Sequence, residues 1–211
     1  MSLHPSDVLK SPPVYVAFQY LVGGSLMRDW GLDELAPRAG ERILDIGCGP
    51  AYYVDRLGGV DYVGFDTDER YIESARKRFA SNPRARFFCA HYDDVHAREL
   101  APFDGIMLMG LLHHLDDEYA EALLDLCGRS LAPGGRVVAL DTVVFDGQSA
   151  MSRLLAKNDR GDHVRTSRGF TRLAERAFAD VGGRVVGDTL RCPAASWLMT
   201  MRSPRTPEKG R

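Results

Sequence analysis

A glycine turn and a distant carboxylate form the first candidate site in the sequence. The segment ILDIGCGPA (residues 43–51) is an apolar strand-like run that enters a turn with glycines at 47 and 49. Such a turn at the carboxyl end of a strand lets backbone amides approach a ligand closely, and we expect a helix to begin near Ala51. Asp66 ends the next strand-like run, 66 − 47 = 19 residues after Gly47. This spacing is typical of a carboxylate that binds a ribose diol, so the two features predict a nucleotide-like site.

Asp45 and Tyr52 argue against a dinucleotide in this site. A G-x-G-x-x-G motif would place glycine at position 52, where this chain has tyrosine, and the third glycine of that motif is needed for close packing of strand and helix. An acid just before the loop would repel a pyrophosphate, but it would attract a cationic amino group. The sequence therefore favours a ligand that carries both a ribose and a cation.

His113 and His114 are the candidate catalytic side chains. They follow the apolar run FDGIMLM (residues 103–109), at the end of a predicted strand. A neutral imidazole there could accept a proton from a reacting group, or one histidine could be a hydrogen-bonded structural residue of the loop. Asp141 ends another strand-like run, where it would either line the same pocket or cap a turn.

Short apolar runs that alternate with helix-period segments predict the fold. The runs are continuous rather than alternating, which is typical of parallel strands covered on both faces. A later amphipathic segment over residues 170–181 predicts a helix that stops at Gly182-Gly183, before two strands at 184–190 and 196–202. We therefore expect an α/β fold with a doubly wound, mostly parallel sheet and a C-terminal antiparallel hairpin. The five parallel strands are predicted at residues 42–46, 62–66, 86–90, 103–109 and 136–141.

Residues 41–142 resemble the class I S-adenosylmethionine-dependent methyltransferases, through DIGCGPA, VGFD, FDGIMLMGLLHHLDDE and LAPGGRVVALD. The resemblance implies a Rossmann-like sheet of seven strands, one of them antiparallel, and S-adenosyl-L-methionine as the cofactor. It places Asp66 on the ribose hydroxyls and the loop around the methionine moiety. The full set of predicted cofactor contacts is Asp45, Gly47, Cys48, Gly49, Asp66, Thr67, His91, Tyr92, Asp93 and Gly110.

The sequence departs from the family pattern at two points. Ala51 stands where the family usually has a third glycine, a change we expect to be tolerated. His91-Tyr92 stand where an aspartate followed by a small apolar residue commonly meets the adenine. Tyr92 would pack on the ring, and His91, Asp93 or Asp94 would accept from the adenine amino group.

The acceptor side of the site is less defined by sequence. We expect residues 1–38 to form an N-terminal helical segment or lid, residues 39–202 the methyltransferase domain, and residues 203–211 a disordered tail. Within the domain, residues 145–168 form an acceptor-side insertion. Its arginines either receive an anionic acceptor or belong to a solvated loop. Tyr15, Asp141 and Arg160 are the predicted acceptor contacts.

Composition restricts the partners. The chain has 211 residues, with 27 Lys+Arg against 29 Asp+Glu and a net charge of −2, which offers no general attraction for nucleic acid or anionic lipid. The four cysteines form no CxxC pair, no metal-ligand spacing is present, and no apolar run resembles a membrane span or secretion signal. These features predict a cytoplasmic protein, a monomer or homodimer, without metal, membrane or nucleic acid. The resemblance implies that it methylates an O, N or C nucleophile of a small molecule. The alternatives are an aminopropyltransferase-like relative and a non-catalytic regulatory subunit that binds the cofactor.

Overall fold

The computed structural model describes residues 24–159, 161–189 and 192–205. Its helices are α1 (Gly24–Leu35), α2 (Glu69–Arg78), α3 (Asp94–Leu100), α4 (Asp117–Ser130), α5 (Ala150–Lys157) and α6 (Ser167–Ala177). Its strands are β1 (Arg42–Ile46), β2 (Asp61–Asp66), β3 (Ala85–Cys89), β4 (Phe103–Met109), β5 (Leu131–Val144), β6 (Arg165–Thr166), β7 (Phe178–Gly187) and β8 (Ala195–Pro204). Two short 3₁₀ turns cover Val54–Arg56 and Leu112–His114.

The main sheet has the strand order β3-β2-β1-β4-β5-β8-β7, and the two-residue β6 pairs with the end of β5. Strands β1 to β5 are mutually parallel, whereas β8 is antiparallel to both of its neighbours. The predicted Rossmann-like α/β sheet of seven strands with an antiparallel C-terminal hairpin is therefore confirmed.

Alternate residues of the central strands face two separate apolar layers. On β1, Leu44 packs into the layer that contains α4 and α6, and Ile43 packs into the layer that contains α1 and α2. Because helices cover both faces, these strands need apolar side chains at every position, which explains their continuous rather than alternating sequence pattern. The polar residue Asp45 breaks this pattern on β1, and it is buried.

Two predicted element boundaries are wrong. No α-helix begins near Ala51, where the chain forms turns and only the short 3₁₀ turn at Val54–Arg56. Helix α6 ends at Ala177, and Gly182-Gly183 lie inside β7, paired with Thr200 and Met199 of β8. At Gly183 an added Cβ would lie 2.4 Å from the Trp197 ring, so this glycine admits the indole against the strand rather than stopping a helix.

The segments outside the main sheet also differ from expectation. The insertion at residues 145–168 is not irregular throughout, because it contains α5 and β6. Strand β8 continues through Ser203 and Pro204, into the segment expected to be disordered, and residues 206–211 lie outside the described residues. Among the described helices, none is long and apolar enough to cross a membrane. The cytoplasmic location stays a prediction.

Candidate cofactor and acceptor site

The predicted site residues gather at one edge of the sheet. The glycine turn follows β1, Asp66 ends β2, and Gly110 follows β4. Asp141 lies in β5, one position beyond the last residue paired with β4. In a parallel sheet the carboxyl ends of all strands lie at the same edge, so residues far apart in sequence share one crevice.

The glycine turn is anchored to β2 by its backbone. The amides of Gly47 and Cys48 donate to the carbonyl oxygen of Phe65 over 2.8 and 2.9 Å. Gly47 and Gly49 have φ angles of +77° and +54°, a left-handed conformation that favours glycine. Ala51 shares it with φ +60°, so the residue that replaces the family's third glycine adopts the backbone conformation of a glycine.

Asp45 places a buried carboxylate beside this turn. Its side chain is only 1% exposed, and the Tyr62 hydroxyl donates to its Oδ2 over 2.6 Å. Its Oδ1 is buried without a hydrogen-bond partner among the described residues. Burial raises the pKa of Asp45 to about 7, the Asp66 charge acts in the same direction, and the Tyr62 bond opposes the shift. A buried acceptor without a donor is costly, so this oxygen fits a ligand's ammonium group.

Asp66 joins the end of β2 to the glycine turn. Its Oδ2 accepts from the Gly49 amide over 2.8 Å, and its Oδ1 accepts from the Asp68 amide over 2.9 Å. An ionised carboxylate has about four acceptor positions, so each oxygen can take one further donor. The two hydroxyls of a ribose would supply such donors. Thr67, the next residue, is exposed.

The predicted adenine contacts are only partly placed at the crevice. Tyr92 is buried in the core, where its hydroxyl donates to Ser130 Oγ over 2.8 Å, so it does not offer its ring to an adenine. Asp93 caps α3 by accepting from the amides of Val95 and His96. His91 is exposed beside Tyr119, with 3.3 Å between its Nδ1 and the tyrosine hydroxyl.

At Cys48 and Gly110 the backbone, rather than a side chain, is available to the predicted cofactor. The Cys48 side chain is buried, with its Sγ 3.5 Å from the Gly49 carbonyl oxygen. Gly110 has φ +74°, and its amide donates to the carbonyl oxygen of Leu140 over 2.7 Å. This bond extends the β4–β5 ladder toward the 3₁₀ turn Leu112–His114, hereafter the histidine turn.

His113 lies between two carboxylates. Its Nδ1 is 2.8 Å from Asp141 Oδ1, and its Nε2 is 3.1 Å from Asp159 Oδ1. Burial lowers the pKa of His113, but the bonds to Asp141 and Asp159 outweigh this effect and raise it to about 9. The pKa of Asp159 is lowered to about 2: burial raises it, but the His113 bond and charge more than offset this. His113 is therefore protonated at neutral pH.

His114 has the opposite character. Its ring lies beside that of His113, with 4.2 Å between the centroids, and it is exposed where His113 is buried. Partial burial and the adjacent positive charge of His113 lower the pKa of His114. At neutral pH it is an uncharged imidazole at the crevice, which is the state that accepts a proton.

From sequence alone, Asp159 has no predicted site role, and Arg165 is only one of the insertion's arginines, which either receive an anionic acceptor or belong to a solvated loop. Asp159 lies 159 − 113 = 46 residues after His113, and Arg165 donates to the carbonyl oxygens of Leu112 and Leu115 over 2.8 and 2.6 Å. No local pattern could have paired Asp159 with His113, since the contact depends on how the insertion folds back. The predicted acceptor contacts Tyr15 and Arg160 lie outside the described residues.

Part of the chain is similar in sequence to known methyltransferases. Residues 43–135 match the family model described as a methyltransferase domain. The chain is 32% identical over 147 residues to a tRNA U34 carboxymethyltransferase of Pseudomonas fluorescens (strain SBW25), a match that covers 65% of this chain and 44% of the relative. It is 31% identical over 109 residues to a ubiquinone biosynthesis O-methyltransferase of Xylella fastidiosa (strain 9a5c), covering 50% and 44% of the two chains.

A solved structure agrees on the fold. The N-methyltransferase NodS from Bradyrhizobium japonicum WM9, in complex with S-adenosyl-l-homocysteine, superposes with a TM-score of 0.70 at 17% identity, covering 94% of this chain and 95% of NodS. Residues 43–135 therefore form a methyltransferase domain, as the resemblance to the class I S-adenosylmethionine-dependent methyltransferases predicted. The expected family and its cofactor, S-adenosylmethionine, are confirmed.

The same comparisons correct one prediction about the methyltransferase domain. A small-molecule acceptor and the exclusion of nucleic acid were expected from the net charge and the resemblance. Relatives named as tRNA U34 carboxymethyltransferases contradict this expectation. A near-zero total charge constrains non-specific binding only, because a local basic surface does not require a basic chain. The chain spans less than half the length of the curated relatives it matches.

Proposed function

We propose that this protein transfers the methyl group of S-adenosylmethionine to a nucleophilic acceptor. The observation that carries the proposal is the buried, unpartnered carboxylate oxygen of Asp45 beside the left-handed turn at Gly47 and Gly49. The bound cofactor supplies a sulfonium-activated methyl group. The chain then has two tasks, to align the reactants and to remove a proton where the acceptor carries one.

Different side chains would perform cofactor binding and proton removal. Asp45 would receive the cationic amino group of the cofactor, and Asp66 would accept from the ribose hydroxyls. His114, neutral and exposed, is placed to take the acceptor's proton. His113 is not, because both of its ring nitrogens already face carboxylates.

A tRNA nucleoside is the acceptor class that the curated relatives favour. One feature of the surface supports it. Arg168 and Arg172 are exposed on α6, which directly follows β6, and they line a groove together with Trp197. Arginine side chains of this kind commonly position nucleic acids through phosphate contacts. The groove would hold the tRNA backbone while the target nucleoside enters the crevice.

The experiment uses S-adenosylmethionine labelled in its methyl group, incubated with the protein and total bacterial tRNA. We expect label in the tRNA, and we expect the double variant R168E/R172E to reduce it and to weaken the salt dependence of tRNA binding. A wild-type protein that binds the cofactor but labels no tRNA would overturn the acceptor class. A protein that binds no cofactor would overturn the proposed activity itself.

The same assay separates the remaining alternatives. An aminopropyltransferase-like protein, given the decarboxylated cofactor with the same methyl label, would transfer the aminopropyl group and leave the label on methylthioadenosine. A non-catalytic subunit would bind the cofactor stoichiometrically and never release S-adenosylhomocysteine.

A further inference from the structure

His113 is a buried polar side chain at the acceptor edge. Its side chain is 8% exposed, and a carboxylate stands at each ring nitrogen, Asp141 at Nδ1 and Asp159 at Nε2. The backbone amide of His113 also donates to Asp141 Oδ1, over 3.1 Å. A neutral imidazole has one N–H and could satisfy only one of the two carboxylates. The doubly protonated ring, which has an N–H for each carboxylate, satisfies both contacts.

The segment that brings Asp159 to His113 closes directly over the ring. A Cβ added to Gly161 would lie 2.1 Å from His113 Cδ2, so only glycine allows this approach. The amide of His163 donates to the His113 carbonyl oxygen over 2.9 Å. Asp159 is itself fixed, since its Oδ2 accepts from the Thr142 hydroxyl and its Oδ1 from the Gly161 amide, each over 2.8 Å.

Arg165 fastens the far end of the same segment. Its guanidinium donates to two carbonyl oxygens of the histidine turn and, through Nε and Nη2, to the carboxylate of Asp117 over 2.9 and 2.7 Å. The side chain is only 11% exposed. Asp159 and residues 161–165 are thus held against the turn that carries the two histidines.

We propose that His113 is a positioning residue: as an imidazolium it bridges Asp141 of β5 and Asp159, and so holds Asp159 and residues 161–165 over the acceptor edge with His114 left facing the acceptor. The inference rests on the proposed function for the role of the covered edge, whereas the bridge itself, hereafter the clasp, stands on the contacts above. In this arrangement a charge bridge, rather than apolar packing, holds this part of the insertion in place. The two histidines then have different roles: His113 is structural, and His114 is available to accept a proton.

The surrounding charges all favour this arrangement. Asp141 faces His113 from β5, and Asp159 faces it from the segment after α5. Asp162, whose charge acts on His114, lies on the same segment, and Arg165 of β6 is paired with Asp117. A protonated His114 would repel the His113 imidazolium, but the lowered pKa of His114 keeps that ring neutral.

The test measures the clasp without cofactor or acceptor, so its failure is distinct from failure of the proposed function. The six histidines are labelled in the ring and titrated by NMR, with His113→Gln used to assign the signal. We expect His113 to lose its proton near pH 9 in the parent. In Asp159→Asn we expect this titration to move toward 6.5, and amide hydrogen exchange of residue 159 and residues 161–165 to speed up about tenfold or more.

Asp162→Asn is the matched control, because it removes an exposed carboxylate from the same segment that forms no ion pair with His113 among the described residues. It should leave both readouts near the parent values. Thr142→Val is a milder second variant that removes only the hydroxyl bond to Asp159, and it should shift both readouts in the same direction by less. A parent His113 that titrates at or below 6.5 overturns the proposal, as does unchanged exchange in a folded Asp159→Asn.

Discussion

The hydroxyl of Tyr62 donates a 2.6 Å hydrogen bond to one oxygen of Asp45, and the other oxygen of that buried carboxylate has no partner among the described residues. The two residues lie on neighbouring strands, and Tyr62 holds the carboxylate in a fixed orientation at the end of β1. The protein thus supplies a hydrogen-bond donor to only one of the two carboxylate oxygens. We expect the other oxygen to be satisfied by a cationic ligand.

Cofactor affinity should therefore depend on pH through Asp45. Its pKa is raised to about 7 in the cofactor-free protein, so protons compete with the ligand's ammonium group below that value. We expect the dissociation constant for S-adenosylmethionine to increase as pH falls from 8 to 6. Calorimetry measures it, and Asp45→Asn, which keeps the shape but not the charge, should bind weakly with no such dependence. An unchanged affinity across this range would remove Asp45 from the cofactor site.

Asp66→Ala should weaken cofactor binding by about 1.5–3 kcal/mol, the range for lost hydrogen bonds to a charged group. Part of this loss comes from the Gly49 amide, which would no longer be held by the carboxylate. Asp68→Ala is the control. It removes the cap of α2 and should lower stability by about 1 kcal/mol while affinity stays near the parent value. Equal affinities for all three proteins would contradict the ribose assignment.

His114→Ala should lower kcat by about 10²-fold or more if the acceptor must lose a proton. In the parent, the rate should rise with pH, and the midpoint of the rise should lie below the ordinary histidine value of 6.5, because burial and His113 lower the pKa of His114. A pH-rate series on the parent and the variant measures this, with the exposed His163 changed to Ala as the control. If the loss is confined to the acceptor KM and the parent profile is flat, His114 shapes the pocket instead of accepting a proton.

The clasp at His113 should make stability depend on pH. Its folded pKa of about 9 is above the unfolded value of 6.5, so the contribution is fully present below 6.5 and is lost as pH rises through 9. The difference corresponds to an upper figure of about 3 kcal/mol. Urea unfolding at pH 7 and pH 10 should show a larger loss for the parent than for His113→Gln, and parallel losses in both proteins would contradict the imidazolium.

Ala51 gives a prediction about the backbone of the turn. It has φ +60° and is fully buried, and a left-handed conformation costs a non-glycine residue about 1–2 kcal/mol. Ala51→Gly should leave the melting temperature unchanged or slightly raised, because relieved strain offsets the greater freedom of glycine in the unfolded chain. Ala51→Val should lower it markedly. Equal melting temperatures for the two variants would show that the turn does not impose this conformation.

The cofactor half of the site was predictable because its information is local. Asp45, Gly47, Gly49 and Asp66 lie at strand ends that continuous apolar runs reveal, and a parallel sheet brings strand ends together without further information. Tyr92 was misplaced for a related reason. The sequence shows that an aromatic residue follows β3, but only the fold shows that its ring turns inward to Phe65 and its hydroxyl to Ser130.

The acceptor half depends on contacts that no local pattern encodes. The bridge from Asp141 through His113 to Asp159 links three separate segments, and its partners are ordinary polar residues in sequence. Gly182 and Gly183 were misinterpreted because a glycine pair that ends a helix and one that admits Trp197 look identical without the partner strand. The exclusion of a nucleic-acid partner was wrong because net charge describes the whole chain rather than a local surface.

The most direct test of the account is a calorimetric titration of S-adenosylmethionine at pH 8 into the parent, Gly47→Val and Gly134→Val. Both glycines are left-handed, at φ +77° and +79°, but a Cβ at Gly47 would lie 3.2 Å from Leu111, whereas Gly134 has nothing within 4 Å. The two variants thus share backbone strain, and only one of them alters the cofactor turn. We predict binding at one site per chain for the parent and Gly134→Val, and none for a folded Gly47→Val. Absence of binding in the parent, or equal affinity in all three, would contradict the assignment of the cofactor to this turn.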